Sequence, residues 1–105
     1  MEQPSLLKEL LYSTFKTDIE RDFKLIKALQ VEVIDLAKRC KERGDQIKVL
    51  QSVVGDSLTT QCLDLMIQMQ EEDLEKNRTL MRSISETQIK ALKTLSFLAK
   101  MKRNH

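Results

Sequence analysis

Glu71 and Glu75 stand four residues apart, a spacing that brings two carboxylates onto one helical face, where such a pair can hold a divalent cation. A site of that kind usually draws on histidine as well. The one histidine, His105, is the last residue of the sequence and is expected to be frayed, which suits neither a general base nor a ligand. A solvated acidic face is therefore the expected role of Glu71, Glu72, Asp73 and Glu75. Cys40 and Cys62 lack the spacing of a zinc site and are too few for a disulfide framework. Both fall at or near apolar stripes, so buried free thiols are expected, and with them a reducing compartment. Arg43-Gly44-Asp45 spells an integrin-type tripeptide and Asn77-Arg78-Thr79 a glycosylation sequon. Each falls within a helical stretch and is read as idle. With no glycine-rich phosphate loop and no nucleophile beside a base, neither an enzyme nor a cofactor, metal or catalytic site is expected.

The elements that carry these residues follow from what the composition lacks. In 105 residues there are two Gly, one Pro and 4% aromatics, against 32% charged and 41% hydrophobic. So few turn formers exclude a sandwich, a barrel or an alternating α/β chain, and the apolar content is too high for disorder. Pro4 suits a first helical turn. From Phe15 a heptad seam alternates steps of four and three through Ile19, Asp22, Ile26, Leu29, Val33, Leu36, Cys40, Arg43, Ile47, Leu50 and Val54, with ten of twelve positions apolar. Chance would give about five, so the seam is a strong coiled-coil signal. A second seam runs through Leu63, Ile67, Gln70, Leu74, Asn77, Met81, Ile84, Gln88, Ala91, Leu95 and Leu98, eight of eleven apolar.

The two seams do not join in phase. Between them Gly55 fits the residue just past a helix end, and Asp56 or Ser57 fits the cap of the next helix. Gly44 interrupts nothing, since the first seam passes through it in phase. The fold expected is all-α: a long two-helix antiparallel coiled-coil hairpin, assembling into a four-helix bundle or larger helical complex. One helical domain fills residues 1–105, with helices over about 5–53 and 57–102 and a turn at about 54–57. Each helix would be roughly 70 Å long. The same signals fit an antiparallel dimer of continuous helices.

Charge supports the antiparallel alignment. The net charge of +2 hides opposed blocks: six acids and no base from Asp56 to Glu75, then eight bases and one acid from Lys76 to Arg103. Folding at Gly55 places residue i opposite about 110 − i. The basic stretch 38–48 then meets the acidic stretch 64–75, and the acidic stretch 2–22 meets the basic stretch 88–105. Exposed pairs contribute little singly, but their signs select the alignment. Polar seam residues Asp22, Arg43, Gln70, Asn77 and Gln88 would fix register or partner choice.

Two helices cannot bury every apolar residue present. Leu6, Leu7, Leu10, Leu11, Tyr12 and Phe15 make the first turns apolar on more than one face; Leu92, Leu95, Phe97, Leu98, Ala99 and Met101 do the same near the other terminus. In a hairpin these clusters meet at the open end, and a stripe that wide implies burial against further helices. Phe23, Leu25, Val31, Ile34, Val49 and Val53 form a second outward set. The expected role is a structural, scaffolding subunit that assembles with itself or another helical protein. The alternative is a nucleic-acid- or membrane-surface-binding module whose basic amphipathic segment offers Lys90, Lys93, Lys100, Lys102 and Arg103 to phosphates or to an acidic partner. With neither a signal sequence nor a membrane span, a soluble, intracellular protein of cytoplasm or nucleus is expected. In composition and heptads the chain resembles small helical subunits of eukaryotic scaffolding assemblies, such as kinetochore, synaptonemal or vesicle-tethering complexes. That resemblance rests on no motif and assigns a role to no single residue.

Overall fold

The computed structural model describes residues 2–53 and 55–103, with side chains from residue 6 onward. The seam position Val54 and the terminal His105 lie outside the described residues. Two helices, α1 (Glu2–Val53) and α2 (Ser57–Arg103), are the secondary structure of the described chain. Both carry mainly Leu, Lys, Glu, Gln and Ile, residues that lose little freedom in a helix or pack well along one face. Pro4 falls within the first turn of α1, where its missing N–H leaves no bond unmade. Gly44 lies inside α1, as its in-phase seam requires.

Asp56 caps α2, as the sequence allows: its Oδ1 accepts the Thr59 N–H at 2.6 Å, and its carbonyl accepts the Thr60 N–H at 3.2 Å. Gly55, just before the cap, has no positive φ. At the other end of α2, Lys100, Lys102 and Arg103 occupy the last turn, where positive charge complements the helix dipole.

The described chain forms two compact units. Unit 1 comprises residues 1–29 and 83–105; unit 2 comprises residues 30–82. Each packs a length of α1 against a length of α2.

In unit 1 the two helices run antiparallel. Phe15 meets Phe97 edge to face, with ring centroids 5.2 Å apart, and Asp22 Oδ1 lies 3.6 Å from Lys90 Nζ. Seven residues forward on α1 thus correspond to seven back on α2. Facing residue numbers total 112, close to the 110 expected from a turn at Gly55. Ile19, Asp22, Ile26, Ala91 and Leu98 are buried here. Thr87 and Thr94, half-buried on α2, donate their hydroxyls to the Ser83 and Lys90 carbonyls one turn back.

Unit 2 contains the turn and is a helical hairpin. Leu36 and Cys40 are buried in it. A polar network crosses between its helices: Arg43 Nη1 donates to Asp73 Oδ2 at 2.7 Å and to Gln70 Oε1 at 3.2 Å, while Gln70 Nε2 donates to the Cys40 carbonyl at 2.7 Å. The α1 seam is as expected: from Phe15 to Leu50 every one of its positions is buried or half-buried.

Four of the eleven α2 seam positions are corrected. Leu63, Ile67, Gln70, Asn77, Ile84, Ala91 and Leu98 do face inward, but Leu74, Met81, Gln88 and Leu95 are exposed. Asp73, Leu80, Thr87 and Thr94 take the inward places instead. In unit 2, Arg43 holds Asp73 inside, and Leu80, one heptad on, follows it. The apolar stripe of α2 is therefore wider than the seam it forms with α1.

Candidate interaction site

The residues expected to form an interface cluster in unit 1, and they separate into two groups. Leu6, Leu7 and Leu10 are 57%, 59% and 66% exposed, and Leu92 is 64% exposed. Leu11, Tyr12, Leu95 and Phe97 are exposed to a smaller extent. Phe15 and Met101 are half-buried and Leu98 is buried, so these three serve the contact between α1 and α2. Helix periodicity explains the division: Phe15 and Leu98 lie on the seam, whereas the leucines of the first turns surround it. A groove between the helices is lined by Lys8, Glu9, Tyr12, Met101 and Lys102, and a second by Phe15, Lys93, Thr94 and Phe97. Both combine apolar walls with basic rims.

The basic set is divided in the same way. Lys90 is committed to Asp22, whose side chain is only 6% exposed. Lys93, Lys100, Lys102 and Arg103 are exposed.

The other singled-out motifs are accounted for by packing. Arg43 turns into the helix pair of unit 2 and bonds Asp73, so Arg43-Gly44-Asp45 presents no free arginine. Asn77 sits half-buried on the seam, with Oδ1 fully buried and without a hydrogen-bond partner. Glu75 pairs with Arg78 at 2.9 Å, and Glu71 is exposed. Cys40 is buried as expected, but Cys62 is exposed. Leu63, next in sequence, occupies the seam position and turns Cys62 outward.

The second outward set, Phe23, Leu25, Val31, Ile34, Val49 and Val53, is exposed throughout. Leu58, Leu65, Met69, Leu74, Met81 and Ile89 join it, and the heptad reading did not separate them from the core. Their signal was present in the unusual width of the α2 stripe. No described helix is long and apolar enough to cross a membrane. No family model matches the chain, and neither a curated protein nor a solved structure is detectably similar to it.

Proposed function

We propose that the chain is a structural coiled-coil subunit that mediates protein–protein assembly by oligomerising with itself or with another helical protein. The observation that carries this reading is the apolar surface of unit 1, where Leu6, Leu7, Leu10 and Leu92 are all more than half exposed. Apolar side chains exposed in this number on an otherwise charged helical protein are consistent with an interaction surface. The internal seam does not use these residues, so burial against a further protein is what would remove them from water.

Purification from the native source tests the reading. The chain should elute at a multiple of its own mass or together with a defined protein. Leu10→Glu combined with Leu92→Glu should release it while circular dichroism remains helical. A monomer free of any partner overturns the reading. The exposure of Lys93, Lys100, Lys102 and Arg103 favours a second one, in which these bases contact phosphate groups. Changing all four to Gln would then abolish salt-sensitive binding to anionic vesicles or nucleic acid and leave assembly intact.

A further inference from the structure

Both flanks of the unit 2 seam expose apolar residues, Val49, Leu65 and Met69 on one and Leu74 and Met81 on the other; the second is also patterned in charge. On α2 its inner row is Ile67, Leu74 and Met81, the last two 42% and 52% exposed, and its outer row is Asp64, Glu71 and Arg78. On α1 the inner row is Gln30, Ala37 and Gly44, and the outer row is Ile34, Lys41 and Lys48. Corresponding heptad positions of antiparallel helices share a side. Glu9 and Lys102, which hold the inner-row position in unit 1, accordingly line one groove. Arg78 and Ile34 apart, the outer row of this face is acidic along α2 and basic along α1, and the α1 inner row includes the small residues Ala37 and Gly44.

We propose that this face binds the same face of a second copy of the chain, about a two-fold axis parallel to the helices, so that two unit-2 hairpins form a four-helix bundle. The axis lays α1 of each copy on α2 of the other at equal height. Lys41 then meets Glu71 and Lys48 meets Asp64, each pair occurring twice by symmetry. Leu74 falls over the gap between Ala37 and Lys41, Ile67 over that between Gly44 and Lys48, and Met81 over that between Gln30 and Ile34. Ala37 and Gly44 leave room beside two of these large side chains. A two-fold axis running across the helices would instead stack α1 on α1, bringing Lys41 and Lys48 onto each other, and would lose both lysine–carboxylate pairs. Charge favours the parallel axis.

Two further facts fit. A Cβ added to Gly44 would lie 3.5 Å from Gln70 Nε2, an ordinary contact, so the chain's own α2 does not require a glycine there. A second helix approaching that surface does benefit from one. The helices of unit 2, about 25 residues long on average, offer a face of roughly 38 by 20 Å, or about 760 Å² per copy, close to the size of a stable interface. The proposal rests on the reading of the chain as an assembly module but does not use the apolar end of unit 1.

Sedimentation equilibrium of the full chain, with circular dichroism on every variant, tests it. The wild-type chain should dimerise. Leu74→Glu, Lys41→Glu and Glu71→Lys should each raise the dimer dissociation constant about tenfold or more. Lys41→Glu combined with Glu71→Lys should restore dimerisation, because the opposed signs are then exchanged across the axis. Charge reversals without effect on a dimer that Leu74→Glu breaks would overturn the parallel axis. A dimer insensitive to all of these but broken by Leu10→Glu would place self-association in unit 1 and overturn the proposal. A strictly monomeric wild-type chain overturns it too, while leaving the assembly reading to be decided by co-elution of a different protein, including one that covers this face.

Discussion

Arg43 of α1 and Asp73 of α2 form an ion pair at 2.7 Å, with side chains 14% and 26% exposed, and this pair sets which residues of α2 face inward in unit 2. A partly buried pair contributes specificity more than net stability, because desolvation offsets much of its attraction. Removing one member is another matter. Arg43→Met strands the Asp73 carboxylate and leaves Gln70 Oε1 without its donor. The expected loss is about 1–3 kcal/mol in chemical denaturation. Arg43→Met with Asp73→Leu should recover most of it. Equal losses in the single and double variants would show that the pair does not set the rotation.

Gly55 is open to substitution. It has no positive φ, and a Cβ placed on it would meet nothing within 4 Å. Gly55→Ala should leave stability unchanged or raise it by about 0.5 kcal/mol through a less flexible unfolded chain. A fall of several degrees in melting temperature would indicate that the turn needs the freedom of glycine after all.

Asp56 links the turn to pH. The Thr59 backbone N–H, then the Thr59 side chain and the Leu58 N–H, hold its carboxyl below the ordinary value of 3.8. Folding therefore favours the ionised form. The cap's contribution is complete above the ordinary aspartate range and is lost as pH falls through the lower, folded value. Asp56→Asn keeps a capping oxygen without the titration. Below about pH 4 the stability of the wild-type chain should fall more steeply than that of Asp56→Asn, and parallel acid limbs would refute the assignment.

The two thiols should separate cleanly. Cys62 is exposed and Cys40 is buried, so a maleimide should modify Cys62 at the rate of a free peptide thiol and Cys40 only on unfolding. Peptide mapping after a short pulse of reagent measures both. Comparable labelling of Cys40 under native conditions would mean that unit 2 opens readily.

The sequence made some of this architecture legible and concealed the rest for identifiable reasons. The α1 seam was readable because its apolar residues repeat in phase and Gly44 does not disturb them. The antiparallel alignment was readable from opposed charge blocks, and Arg43–Asp73 and Lys90–Asp22 each join blocks of opposite sign. The α2 phase was only partly readable. Its apolar residues favour Leu74 and Met81 in unit 2, but an ion pair to Arg43 brings Asp73 in, and Leu80 follows one heptad on. Hydrophobic periodicity has no means of weighing one charged contact across two helices. Position relative to the seam explains the candidate site: Leu6, Leu7 and Leu10 surround it and stay exposed, while Leu98 lies on it and is buried.

Thr87 and Thr94 give unit 1 a different mechanical character from a bonded interface. Their hydroxyls are closed onto the preceding turn of their own helix, so they turn mainly methyl groups toward α1. Such a surface grips by shape and has no directional bond to break. Among the described residues, Lys90–Asp22 is the one polar tie between the helices of this unit. A load drawing α2 along α1 there would be opposed chiefly by interlocked side chains such as Phe15 and Phe97, so that resistance to sliding is spread along the unit rather than held in one bond.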